Sequence, residues 1–368
     1  MEKNYNIKNK IRGSLAGGAV GDALGYSVEF LNEEQIVRKY GDKGIQYYDI
    51  DKDSNVAVIS DDTQMTLFTA NALLFAEHRQ KYRGVSGDPR HYALQAYFGW
   101  LHTQQFSYSK ENRIPDDWRG WTSYLLQDIP ELYVRRAPGI TCLNGLKHRK
   151  EKSDNNIHIS DFIADKINDS KGCGGIMRVA PLGLAINFWK PERLDTEGAQ
   201  LAAITHSHPL GYMPAAVLTH ILNKLVYSDC EIDLKSVITE ARDFANDLFS
   251  DTPYIRDLSN IITAAISLSE NDNSDIENIR KLGEGWVAEE TLAISLYCSL
   301  KYKDDFSKAV IAAVNHKGDS DSTGAVTGNI MGALLGYDKI EQKWLSSLEL
   351  HNLILQIADN LYTVFIGE

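Results

Sequence analysis

Residues 319–323 read Asp-Ser-Asp-Ser-Thr, five consecutive oxygen-bearing side chains placed directly before a run of small and apolar residues that ends near Leu335. A second set, Ser60-Asp61-Asp62-Thr63, precedes another apolar run containing Met65, Phe68, Leu73 and Phe75. One Ser or Asp at a helix start is ordinary capping. Five in a row exceed what a cap needs, and oxygen donors without cysteine or histidine suit magnesium, manganese or calcium rather than zinc. Asp319 and Asp321 diverge within a regular helix but can converge in the turn before one. A calcium loop of the EF-hand kind is excluded, because the Gly and Glu that complete it do not follow. If the two clusters meet, their four carboxylates need cations between them.

The elements that would bring them together are marked by glycine. Gly324, Gly328, Gly332 and Gly336 recur every four residues, and so do Gly13, Gly17, Gly21 and Gly25. Each glycine costs a helix about 1 kcal/mol relative to alanine, so a face made of them implies close approach of another backbone. The spacing predicts a helix over 8–24 packed closely against one over 322–336. Asp22 and Glu29 fall at or just past the C-terminal end of the first helix, where the dipole disfavours acids. Further helices are expected after Thr205-His206-Ser207-His208-Pro209, where the histidines suit capping or ligand hydrogen bonding. Others are expected over 232–278, from Gly283 to about Leu300, and over 343–366. Strand signals are confined to Ile45–Ile50 and the short Val56–Ile59. The expected fold is all-α, a single compact orthogonal multi-helix bundle over 1–368, with a dinuclear metal site at helix N-termini.

Composition narrows the partners. The chain has 368 residues, 43% hydrophobic and 24% charged, with a net charge of −12. That balance argues against an extended phosphate-binding surface, so no nucleic acid is expected. Cys142, Cys173, Cys230 and Cys298 have neither zinc nor redox-pair spacing, which fits a reducing compartment. No apolar run approaches the ~18–20 residues that span a membrane. Asp22 interrupts the apolar stretch after Lys3, Lys8, Lys10 and Arg12, so a signal peptide is not expected either. The expected location is cytoplasmic. Residues 170–183 place glycines before an apolar run, a turn that can cradle a phosphate but is more commonly a plain turn. The aromatic residues between 91 and 133, among them Trp118, Trp121 and Tyr124, read as core.

Taken in order, Gly21-Asp22-Ala23-Leu24-Gly25 with Glu29, Ser60-Asp61-Asp62-Thr63, Arg136-Ala137-Pro138-Gly139, Gly174-Gly175 with Met177-Arg178, Thr205-His206, and Gly318-Asp319-Ser320-Asp321-Ser322-Thr323 resemble the ADP-ribosylglycohydrolase family. The match runs from about residue 8 to 340. The resemblance implies an all-α fold with two magnesium ions, manganese being the other candidate, that removes ADP-ribose from modified proteins. It implies Ser60, Asp61, Asp62, Asp319, Asp321 and Ser322 as metal ligands, with Asp321 bridging, and Glu29 over the metal site. Gly139, Ser170, Gly172, Cys173 and Gly174 fall where the family holds the diphosphate and distal ribose, and His206 where it contacts the ligand. Two cations can chelate vicinal ribose hydroxyls and lower the pKa of a water attacking the anomeric carbon. Glu29, Asp61 or Asp62 would stabilise the oxocarbenium-like transition state or act as base. Cys173 stands where relatives can carry Asn. The Asp of a Pro-Pro-Asp-Ile-Gly segment has only Asp116 and Asp117 as nearby counterparts. Ser320 and Ser322 are closer to the arginine-hydrolase form. The expected substrate is ADP-ribosylarginine on a protein, with O-linked ADP-ribose or a non-catalytic ADP-ribose or partner binder as alternatives, and the chain is expected to be a monomer.

Overall fold

The computed structural model describes residues 2–51, 53–114, 126–155, 157, 159–228 and 232–367. Among them sixteen α-helices succeed one another. The first five are α1 (Glu2–Tyr26), α2 (Glu33–Tyr40), α3 (Asp61–Arg83), α4 (Pro89–Thr103) and α5 (Ile140–Asp154). Then come α6 (Ala180–Ala185), α7 (Pro191–Ala203), α8 (Pro209–Tyr227), α9 (Leu234–Leu248), α10 (Ile255–Ser269) and α11 (Asp275–Leu282). The chain ends with α12 (Ala288–Lys301), α13 (Phe306–Val314), α14 (Ser320–Leu335), α15 (Gln342–Leu345) and α16 (His351–Phe365). A 3₁₀ turn over Cys173–Arg178 leads into α6. Trp118, Trp121, Tyr124, Asp116, Asp117 and Cys230 lie outside the described residues.

The two glycine faces meet. A Cβ on Gly13 would stand 2.3 Å from the Gly332 carbonyl oxygen, one on Gly21 1.9 Å from that of Gly324, and one on Gly328 1.9 Å from that of Gly17. The pairs run in opposite order along the two chains, so α1 and α14 are antiparallel. Ser14 Oγ donates to the Asn329 carbonyl and Asn329 Nδ2 donates back to the Ser14 carbonyl, both at 2.9 Å. Real Cβ atoms do not occupy such distances, which is why the propensity cost of glycine is tolerated here. The pairing also has a direction. It sets the C-terminal end of α1, with Asp22 and the following Glu29, against the N-terminal end of α14, with Asp319 and Asp321.

Two expectations are corrected. Ile45–Ile50 forms no strand. Ile45 is fully buried, but its N–H donates to Asn315 Oδ1 at 2.7 Å and its carbonyl accepts from Asn315 Nδ2 at 2.9 Å, so a side-chain amide replaces a neighbouring strand. Among the described residues there are only isolated bridges, Ala57 with Leu348 and Gly172 with Val287. The predicted helix over 343–366 is broken between α15 and α16, because Leu350 adopts the left-handed conformation at φ 56°, which a leucine does not take within a helix.

Candidate functional site

The turn before α14 aims Asp319 away from helix capping, while Asp321 lies in the first turn of α14, its Oδ1 accepting from the Ser322 N–H at 2.9 Å. Gly318, at φ 134°, passes so close to Glu284 that a Cβ would stand 1.9 Å from the Glu284 carbonyl oxygen, and the Asp319 N–H donates to that oxygen at 2.8 Å. Asp319 occupies the N-cap position of α14 without its side chain accepting a cap bond. The α3 start is built otherwise. Ser60 Oγ accepts from the Asp62 N–H at 3.1 Å, so Ser60 serves as a true N-cap. The two starts touch where Ser322 Oγ donates to Asp62 Oδ2 at 2.7 Å.

Asp22 ties α1 to this junction. It lies inside α1, fully buried, and its carboxylate accepts from the N–H groups of Ser60 at 3.0 Å and Thr63 at 3.1 Å and from the Thr63 hydroxyl. The approach to α3 is held from the other side by Arg136 and Glu349. Arg136 Nη2 donates to Glu349 Oε1 at 2.7 Å and Nη1 to the Ile59 carbonyl at 2.9 Å, while Glu349 Oε2 accepts from the Ile59 N–H at 3.1 Å. The Asp61 N–H donates to the Arg136 carbonyl at 3.2 Å, and Asp61 Oδ2 accepts from the Gly139 N–H at 3.4 Å.

The acids thus gathered repel one another. Carboxylate oxygens of Glu29, Asp319 and Asp321 lie within 4.8 Å of one another, all three residues buried. Burial first, then Asp321 and Asp319, pushes the Glu29 carboxyl up to about 10. Burial and Asp321 likewise raise Asp61, Asp62 and Asp319 well above the carboxylate range, and Asp22 to about 7. Glu29 Oε2 is buried with no hydrogen-bond partner. Such an orphaned oxygen among like charges needs a proton or a cation. The donor set of carboxylates beside a serine hydroxyl fits a hard divalent ion.

Glu29, Asp61, Asp62, Asp319, Asp321 and Ser322 line a cleft of about 730 Å³. Gly139, Gly172, Cys173, Gly174 and His206 line its length. Phe30 and Trp286, ring centroids 6.3 Å apart and nearly parallel, stand at its rim largely exposed. His206 is held neutral: burial, then Arg178, lowers its pKa to about 3. Its Nδ1 lies 2.8 Å from Thr205 Oγ1, which itself accepts from Arg178 Nη2 at 2.8 Å. With the threonine proton turned toward Nδ1, Nε2–H is the donor on the Gly172 side.

Of the residues singled out in the sequence, Glu29, Asp61, Asp62, Asp319, Asp321, Ser322, Gly139, Gly172, Cys173, Gly174 and His206 all border this cleft. Ser60 and Ser170 do not. Ser60 is fully buried as the α3 cap, and Ser170 Oγ sits behind the loop, accepting from the Gly172 N–H at 3.3 Å and lying 3.2 Å from Thr141 Oγ1. His208 caps α8, its Nδ1 accepting from the Leu210 N–H at 3.0 Å. The sequence reading did not place Asp22, Glu349, Phe30 or Trp286 in the site. An acid in the last turns of a glycine-faced helix pointed to Asp22, and an exposed-type aromatic after Gly283 and Gly285 pointed to Trp286; Glu349 carried no such signal.

A family model described as ADP-ribosylglycohydrolase matches residues 3–368. The chain belongs to the ADP-ribosylglycohydrolase family. An uncharacterised protein of Archaeoglobus fulgidus is 26% identical over 364 residues, 97% of each chain. The ADP-ribosyl-[dinitrogen reductase] glycohydrolase of Rhodospirillum rubrum is 23% identical over 349 residues, 94% of this chain and 92% of that one. The solved structure of an ADP-ribosylglycohydrolase-related protein complex shares the fold, with TM-score 0.61 and 20% identity over 98% of this chain and all of that one. Membership in the ADP-ribosylglycohydrolases makes the chain a hydrolase of the kind that reverses ADP-ribosylation, and the buried acid cluster is the part of it able to hold metal. Among the described residues no helix is long and apolar enough to cross a membrane.

Proposed function

We propose that this chain is a metal-dependent hydrolase that removes ADP-ribose from arginine side chains of modified proteins, cleaving the bond between the anomeric carbon and the guanidino nitrogen. It acts in the cytoplasm as a monomer, with residues 1–368 forming one domain. The observation that carries the reading is the convergence of Glu29, Asp319 and Asp321, with an orphaned Glu29 oxygen, in a cleft also lined by Gly139, Gly172 and Gly174.

Asp61, Asp62, Asp319, Asp321 and Ser322 would hold two magnesium ions or, alternatively, manganese, with Ser60 contributing from the α3 cap. Such ions supply Lewis acidity toward the ribose hydroxyls and the attacking water. Glu29 would take the proton from that water, and Asp61 and Asp62 would offset positive charge developing on the ribose ring. Gly139, Gly172, Gly174 and Cys173 let the diphosphate and distal ribose lie against backbone, with Ser170 bracing their loop from behind. His206 Nε2–H can donate to the ligand, and Arg135, which lines the same cleft, balances the diphosphate. The Ser320 and Ser322 form of the α14 motif supports arginine as the acceptor.

The test is release of free ADP-ribose from an ADP-ribosylarginine protein, with magnesium and with excess chelator, beside a serine-linked control. Chelator-sensitive release from arginine alone is expected. Release from serine alone would overturn the linkage, and release from neither would overturn the hydrolase reading.

A further inference from the structure

Cys173 lines the cleft and presents its side chain to one of the acids, Asp319. Its thiol donates to Asp319 Oδ2, and Asp319 is one of the three acids whose oxygens gather within 4.8 Å. Glu29, 6% exposed, leaves Oε2 without a partner in that gathering. The other two described cysteines do not share this setting. Cys142 Sγ lies 3.8 Å from the Gly174 carbonyl and 3.8 Å from Arg178 Nη1, and Cys298 is fully buried in α12.

We propose that Cys173 is a sulfur donor built into the carboxylate cluster, so that an ion seated on Asp319 can form a bond to Cys173 Sγ and the site takes thiophilic divalent ions such as cobalt, zinc and cadmium. This rests on the reading of the cluster as a metal centre. Three observations carry it. A thiol is a weak hydrogen-bond donor, so a carboxylate contact alone gains little from sulfur at this position. The thiol is also held in place. The Cys173 N–H donates to the Trp286 carbonyl at 3.3 Å, and the Ala288 N–H donates to the Lys171 carbonyl at 2.9 Å, clamping the loop against the start of α12. Finally, the orphaned Glu29 oxygen marks the same group of acids as short of a positive partner.

Oxygen donors prefer magnesium and manganese, whereas sulfur adds affinity for softer ions. Magnesium would therefore leave the thiol as a bystander. Cobalt, zinc or cadmium would bond to it, releasing the thiol proton to solvent, and would exchange slowly with magnesium. Thiophilic ions would thus act as tight competitors at this centre.

The experiment titrates the metal-free full-length protein with cobalt alone, cadmium alone and magnesium alone, following absorption and heat. Thiolate-to-cobalt charge-transfer absorption is expected in the unaltered protein and in Cys142→Ser. It should vanish in both Cys173→Ser and Cys173→Ala, and cadmium affinity should fall at least ~10-fold in those variants while magnesium affinity moves less than ~2-fold. Magnesium binding also shows that each variant has folded. Cobalt bound without the charge-transfer band, or cadmium affinity untouched by either variant, would overturn the sulfur bond and leave the carboxylate centre standing. Failure of every ion to bind would overturn the metal centre itself.

Discussion

Replacing Gly328 by alanine sets two physical effects against each other. In an isolated helix the change stabilises by about 1 kcal/mol. In this fold the new Cβ would stand 1.9 Å from the Gly17 carbonyl oxygen and 2.5 Å from its carbon. Ordinary non-bonded contact is about 3.5–4 Å. The obstacle is helix backbone rather than the end of a flexible side chain, so α1 and α14 have to part. Overpacking of this kind costs up to about 3 kcal/mol or more, which leaves a net loss of about 2 kcal/mol. Unfolding entropy of about 2.1 cal/mol/K per residue over 368 residues amounts to ~0.8 kcal/mol/K, so the melting temperature should drop by about 2–3 °C. Propensity alone would raise it by about 1 °C. Scanning calorimetry on the metal-free protein separates the two signs. Divalent-ion affinity should weaken in parallel, because Asp321 and Ser322 ride on α14 while Asp22 rides on α1. A melting temperature that rises or stays level, with unchanged ion affinity, would refute the close-packing account of the glycine faces.

Three further outcomes follow from the junction and its charges. Glu29 titrates near 10 in the folded chain against 4.5 as its ordinary value, so the native state keeps a proton that the unfolded chain has lost. Stability of the metal-free protein should therefore fall as pH rises from 7 to 8, by at least about 1.4 kcal/mol or about 2 °C, with Asp61, Asp62 and Asp319, raised by burial and Asp321, acting in the same sense. His206 and His316, whose values burial lowers from 6.5, pull the other way only at or below that value, which is why the window opens at 7. Magnesium should flatten the slope and release at least about one proton, measurable by calorimetry in buffers of different ionisation heat; a flat metal-free profile contradicts this. Glu349→Ala leaves Arg136 facing a buried gap and strips the Ile59 N–H of its acceptor, and should cost about 3–5 kcal/mol, read as a melting temperature lower by about 4–6 °C. Asp22→Asn turns an amide against three donors and should cost about 1–3 kcal/mol with weakened ion binding; thermal melts with and without magnesium check both.

The sequence carried the helix pair and the acids because each left a periodic or clustered trace. Glycine every fourth residue in two distant stretches has a single economical cause, backbone against backbone, and the structure has it. Oxygen-rich starts before apolar runs announced α3 and α14. What the sequence hid was the direction of individual side chains. Ser60 and Ser170 also accept from the neighbouring N–H groups of Asp62 and Gly172, bonds that a one-dimensional motif does not announce. Asp22 reads as an awkward acid near a helix end until the N–H groups of Ser60 and Thr63 are seen around it. Glu349 lies far from every motif and meets Arg136 only through the fold. The break at Leu350 followed no glycine or proline, since a leucine in the left-handed region gives no compositional warning.

The antiparallel seat of α1 on α14 also bears on how the chain is made. Gly21 and Gly324 are separated by about 300 residues, so their contact closes nearly the whole polypeptide, at a loop-closure cost of about 5 kcal/mol. At ribosomal rates of about 5–20 residues per second, α1 waits roughly 15–60 s for its partner to be synthesised. Throughout that interval its glycine face lacks the α14 backbone it packs against, and Glu29 lacks the Asp319 and Asp321 it gathers with. Competence for chemistry therefore arrives late and all at once, when the final quarter of the chain docks. A lesion in α14 should accordingly be felt first as slow or failed maturation.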